Sequence, residues 1–62
     1  MTLPKDPFML LSYINTQLRD NFSSLSELAA SLGADEEQIR SILKGAGFIY
    51  SNELNRFINA DQ

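Results

Sequence analysis

The sequence predicts a mainly α domain: a three-helix helix-turn-helix core followed by a short C-terminal β-hairpin, the order of a small winged helix. Three observations predict it. Ala29, Gly33, Ile39 and Ile42 stand four, six and three residues apart, the spacing of two short helices joined at a glycine. An Asp6-Pro7 pair opens an apolar helical repeat ahead of them. Beyond Gly47 the pattern changes to two β-prone runs, Phe48-Ile49-Tyr50 and Arg56-Phe57-Ile58.

The first helix is expected over about 7–20. Asp6 can accept from free backbone N–H groups, and proline is tolerated at the first helical position. At about 100° per residue, Leu10, Leu11, Ile14 and Leu18 share one face and Ser12, Asn15, Thr16 and Arg19 the other. Met9 and Tyr13 flank the apolar face and widen it, while Phe8 lies away from its centre. Asn15 and Arg19, four apart on the polar face, are placed to brace the hairpin or to contact a ligand.

Ser24-Leu25-Ser26-Glu27 matches a capping box and opens a second helix, over about 25–32, which Gly33 can end by taking a left-handed conformation. The small Ala29 lets the next helix cross closely. Asp35 caps a third helix over about 36–46. Its first-turn carboxylates suit the positive end of the helix dipole, and Lys44 suits the negative end. Ile39 and Ile42 should face Leu28 and Leu32. Gly47 is the better of two candidate glycine caps, because it sets Phe48 against Leu43. The hairpin is expected over about 48–58, with Asn55 a left-handed residue closing its turn.

At 62 residues one small domain is expected, burying only about 60% of its unfolded surface. Its stability should be about 3–9 kcal/mol. A hydrophobic fraction of 44% suits a globular chain. With no cysteine there is no disulfide or thiolate chemistry, and with no histidine the commonest general base is missing. The formal charge of −3 and a pI near 4.5 are a poor balance for holding polyanions. No segment approaches the roughly twenty apolar residues that span a bilayer, and Asp6 and two prolines interrupt any leader-like stretch, so a cytoplasmic location is expected.

The chemistry-bearing residues favour structure over catalysis. The serines are scattered, with no histidine to activate them. Asp35, Glu36 and Glu37 are consecutive, so on a helix they point about 100° apart and cannot converge on one ion. Gly45 and Gly47 lack the strand before and the Lys-Ser or Lys-Thr pair after that a phosphate loop needs. Phe48, Tyr50 and Phe57 have few basic neighbours for a base-stacking platform and suit a core better. No enzyme, cofactor, metal or small-molecule substrate is expected.

A helix-turn-helix commonly reads DNA through its second helix. Here the outward residues of that helix are Asp35, Glu36, Glu37, Arg40, Ser41 and Lys44, and three carboxylates would meet phosphates. Arg40 and Lys44 are too few to reverse this, and the turn of the hairpin adds Glu53 beside Arg56. A protein-interaction module, binding itself or another protein, is therefore the leading expectation. The expected partner surface is Met9, Leu10 and Tyr13 on the wide apolar arc of the first helix, with Glu36, Glu37, Arg40 and Lys44 on the third. The alternative is a DNA-binding regulator, which requires either that the acidic helix avoid the phosphates or that a dimer assemble a basic surface from Lys5, Arg19, Arg40 and Arg56.

The run Leu3-Pro4-Lys5-Asp6-Pro7-Phe8-Met9-Leu10-Leu11-Ser12-Tyr13-Ile14-Asn15, with Leu18-Arg19-Asp20 and Ser24-Leu25 after it, resembles a family of uncharacterised bacterial proteins. These are short stand-alone chains classed as a domain of unknown function. The likeness continues more weakly to Tyr50, Asn55 and Phe57. It implies a bacterial, free-standing domain and carries over no catalytic residue.

Overall fold

The computed structural model describes residues 3–61. Three helices, α1 (Pro7–Asp20), α2 (Leu25–Leu32) and α3 (Glu36–Gly45), precede an antiparallel hairpin of β1 (Phe48–Ser51) and β2 (Arg56–Asn59). This is the expected mainly α architecture, with α3 one residue shorter than the sequence suggests.

Local chemistry sets the boundaries. The Asp6 carboxylate accepts from the N–H groups of Phe8 at 2.8 Å and Met9 at 3.4 Å, with Pro7 opening α1. Ser24 Oγ accepts from Glu27 N–H at 3.1 Å. The reciprocal half of the box is displaced: the Glu27 carboxylate takes the Ser23 N–H at 3.1 Å and the Ser23 hydroxyl, one residue before the cap. Gly33, at φ 65°, ends α2 with a Schellman pair of bonds, Ala34 N–H to Ala29 O at 2.9 Å and Gly33 N–H to Ala30 O at 3.3 Å. Asp35 accepts from Glu37 N–H at 2.9 Å to open α3. At its far end Gly47, at φ 95°, donates to Lys44 O at 3.0 Å and turns the chain into β1. A Cβ would have open space at Gly33 and Gly47, so the backbone angle alone asks for glycine there.

Gly45 has neither constraint: it is helical, its φ is ordinary, and a Cβ would meet nothing within 4 Å. Gly45→Ala should therefore raise the unfolding free energy in urea by about 0.5–1 kcal/mol through lost unfolded-state entropy. A destabilised variant would contradict this account of the α3 terminus.

Among the described residues nine are buried and form the core: Leu10, Ile14 and Leu18 from α1, Leu25, Leu28 and Ala29 from α2, Ile39 and Leu43 from α3, and Phe57 from β2. Two expectations need correction. Leu10, counted with the partner surface, is only 1% exposed, because it repeats with Ile14 and Leu18 every four residues and shares their stripe. On α3 the fully buried partner of Ile39 is Leu43, not Ile42. Ile42 is half buried on the flank, in a groove with Leu3, Pro4 and Leu32. The wide arc of α1 is thus mostly covered: Leu11 and Tyr13 pack half buried against the core, and Met9 remains 63% exposed. Phe8, 64% exposed, meets Phe48 edge-on with ring centroids 6.2 Å apart.

Two asparagines tie the hairpin to the helices. Asn15 on α1 donates to Phe57 O at 3.1 Å and accepts from Phe57 N–H at 2.8 Å, so its amide stands in for a neighbouring strand. It braces the hairpin, one of the two roles its sequence position allowed; Arg19 pairs with Asp20 at 2.8 Å on the surface instead. Asn55, left-handed at φ 54°, donates to Leu18 O at 3.1 Å and Phe22 O at 2.9 Å and accepts from the Tyr50 hydroxyl at 2.6 Å. The same hydroxyl accepts from Leu25 N–H at 3.3 Å, so the hairpin turn, α1 and α2 share one polar knot.

Candidate functional site

The outer face of α3 and the edge of β1 enclose a groove of about 340 Å³, lined by Glu37, Arg40, Ser41 and Lys44 on one side and by Phe48, Ile49, Tyr50 and Phe57 on the other. Gly47 produces this placement by folding β1 back along the helix it follows.

The charges of the groove divide into engaged and available. Arg40 donates to Glu36 through Nε at 3.1 Å and Nη2 at 2.8 Å, and Ser26 Oγ donates to the other Glu36 oxygen at 2.8 Å. Those bonds, Arg40's first and Ser26's second, hold the Glu36 carboxyl below the ordinary glutamate range. The Arg40 guanidinium also lies 5.4 Å from the centroid of the Tyr50 ring, a cation–π arrangement. Glu36 and Arg40 are thus half buried and joined to each other. Glu37, Ser41 and Lys44 are exposed, and among the described residues Glu37 and Lys44 make no ion pair.

The β1 edge adds a second kind of group. In an antiparallel pair the peptide N–H and C=O of one residue point together, alternately toward the partner strand and away from it. Phe57 directs both to Asn15, and Gly47 O accepts from Ala60 N–H at 2.8 Å, so the ladder bonds of the hairpin fall at Ile49–Ile58 and Ser51–Arg56. The peptide groups of Phe48 and Tyr50 therefore face outward. Among the described residues they have no protein partner. Of the two edges of this sheet, Asn15 occupies the middle of the one on β2, at Phe57, and the one on β1 has no such brace.

The expected partner residues do not form one surface. Glu37, Arg40 and Lys44 line the groove and Glu36 braces it, whereas Met9 and Tyr13 lie on α1 and Leu10 is buried. The open edge is the feature that sequence reasoning missed. Its only signal is the count of strands: two β-prone runs leave two edges, and a single polar residue placed to brace them can hold only one.

A more polar groove of about 770 Å³ runs between α1 and the hairpin turn, lined by Ser12, Asn15, Thr16, Arg19, Leu54 and Arg56 among others. Asn15 and Asn55 are already engaged there by the bonds given above, and Arg19 is paired. No group of three or more acidic residues among the described ones is placed to hold a metal ion, and no described helix is long and apolar enough to cross a membrane.

These features define a small, mainly α domain with a C-terminal hairpin braced at β2 and an open strand edge on β1. The chain belongs to the family described as a domain of unknown function, DUF4250, which matches residues 4–57. No curated protein and no solved structure matches it.

Proposed function

We propose that this domain is a non-enzymatic, cytoplasmic protein-interaction module whose contact surface is the groove between α3 and β1. The observation that carries the reading is the open peptide edge of β1. Outward N–H and C=O groups at Phe48 and Tyr50 match another polypeptide backbone in extended form, and strand addition at such an edge is a recurrent mode of protein recognition. The charges beside it argue the same way. Arg40 is neutralised by Glu36 and stacked on Tyr50, which leaves Lys44 as the exposed cation of a helix face that opens with three carboxylates. Phosphates would meet net repulsion there. A DNA-binding regulator is the rival reading, and catalysis lacks an activated nucleophile.

A photo-crosslinking side chain tests this reading. Ser41→p-benzoylphenylalanine places the probe in the groove, and Ser31→p-benzoylphenylalanine places it on the exposed face of α2 as a control. Irradiation in the native cytoplasm should give protein adducts from position 41 that position 31 does not give. Adducts with nucleic acid alone, the same adducts from both positions, or none from position 41 would each sink the reading.

A further inference from the structure

We infer that the occupant of the groove is a second copy of this chain, paired β1 to β1 about a two-fold axis through Ile49. The inference rests on the interaction reading above and names its partner.

The backbone geometry supplies the first argument. The outward peptide groups lie at Phe48 and Tyr50, symmetrically about Ile49. An antiparallel copy that sets Phe48 opposite the partner's Tyr50 makes two hydrogen bonds there, and symmetry makes two more at Tyr50 opposite the partner's Phe48. The two-hairpin sheet becomes four strands, with Ile49 facing the partner's Ile49 on the axis. Ile49 is 42% exposed, among the few large apolar side chains left at the surface.

The charges supply a second argument, independent of the first. Glu37 and Lys44 line the groove seven residues apart on α3, about 10 Å along its axis. Arg40 lies over Tyr50, and Lys44 precedes Phe48 by only a tight turn. The start of α3 therefore lies beside Tyr50 and its end beside Phe48. The axis that sets the partner's Tyr50 opposite Phe48 consequently brings the partner's Glu37 toward Lys44, and Glu37 toward the partner's Lys44. Strand register and helix charge call for the same two-fold. A self-complementary patch of this kind is isologous.

The assembly stops at two. Asn15 holds both peptide groups of Phe57 and so occupies the middle of the β2 edge, leaving only the terminal Asn59 facing outward there, too little for a third chain to add a strand. With two short strands and one helix face from each chain, the interface is of the small, weak class. It should form at about 100 μM rather than at nanomolar concentration.

Sedimentation equilibrium of the whole chain from about 10 to about 300 μM reads the outcome. The mass should climb from one chain toward two and no further. Ile49→Lys sets like charges together on the axis, and Lys44→Glu sets them together at both ends. Each should weaken association at least tenfold with little change in melting temperature. Glu37→Lys combined with Lys44→Glu should restore it. Amide exchange on the wild type gives a reading free of any variant's folding: protection at Phe48 and Tyr50 should rise with concentration. A strict monomer, a dimer indifferent to Ile49→Lys, growth beyond two chains, or exchange at Phe48 and Tyr50 independent of concentration would each overturn the inference. A monomer whose position 41 still crosslinks to a different protein defeats the second copy alone, whereas absence of any protein adduct defeats the interaction reading.

Discussion

Leu28→Ala should lower the unfolding free energy by about 2–5 kcal/mol and leave much of the chain unfolded at room temperature. Leu28 is fully buried at the centre of a core of nine residues, where α2 meets α1 and α3. Truncating it removes transfer energy and leaves a void that the short helices can close only in part. The whole domain has about 3–9 kcal/mol to lose. It has no cysteine for a disulfide, so the aliphatic core supplies most of its stability. Ile39→Ala, at 1% exposure across the α2–α3 contact, should behave alike. Urea melts followed by circular dichroism measure both. Losses below about 1 kcal/mol for the pair would contradict the packing of these helices.

The sequence was most legible where one turn of chain decides the outcome. Asp6, Ser24 and Asp35 each accept from N–H groups two or three residues ahead, and Gly33 and Gly47 each need only a positive φ. Type, spacing and local geometry suffice for such residues. The errors occur where a distant segment arbitrates. Ile42 and Leu43 are neighbours on α3, and periodicity alone allows either to face inward with Ile39. The position of β1 and of the segment at Leu3 and Pro4 settles it, placing Leu43 at the centre and Ile42 in a flanking groove. Leu10 belongs to the core and not to the surface for a related reason. The apolar arc of α1 looked too wide for one core, yet the half-buried positions of Leu11 and Tyr13 absorb its width.

For the candidate site, the outward face of α3 was legible as a list of residues but not as a set of free charges. That Glu36 and Arg40 are joined follows from a four-residue spacing. That Ser26 and Tyr50 also hold them follows only from the fold, across ten residues in each case. The open edge of β1 is less legible still. Which peptide groups face outward depends on the register of the hairpin, and the brace on the other edge depends on an amide 42 residues away, Asn15 on Phe57. Side-chain patterns carry no direct record of backbone groups left unpaired.

Asn55→Ala should cost about 2–4 kcal/mol, more than any other polar substitution in the hairpin. The side chain does three jobs at a non-glycine left-handed position. Its amide nitrogen satisfies the carbonyls of Leu18 and Phe22 where α1 ends, and its oxygen takes the Tyr50 hydroxyl. Alanine leaves two carbonyls without their donor, at about 1–3 kcal/mol for a fully buried group and less for these part-buried ones. Alanine also lacks the short polar side chain that lets asparagine tolerate the left-handed region, at about 1 kcal/mol. Asn55→Gly separates the two costs, since glycine tolerates φ 54° and lacks the amide. The glycine variant should therefore be the more stable of the two by about 1 kcal/mol and still fall well below the native chain. Equal losses for alanine and glycine would remove the backbone contribution. Losses under about 0.5 kcal/mol for both would show that the amide does not hold the hairpin on α1. The knot also fixes Tyr50, whose hydroxyl bonds Asn55 and Leu25 while its peptide groups form the open edge. Loosening the turn should therefore weaken self-association at concentrations where the variant remains folded, a loss that sedimentation can read beside the melt.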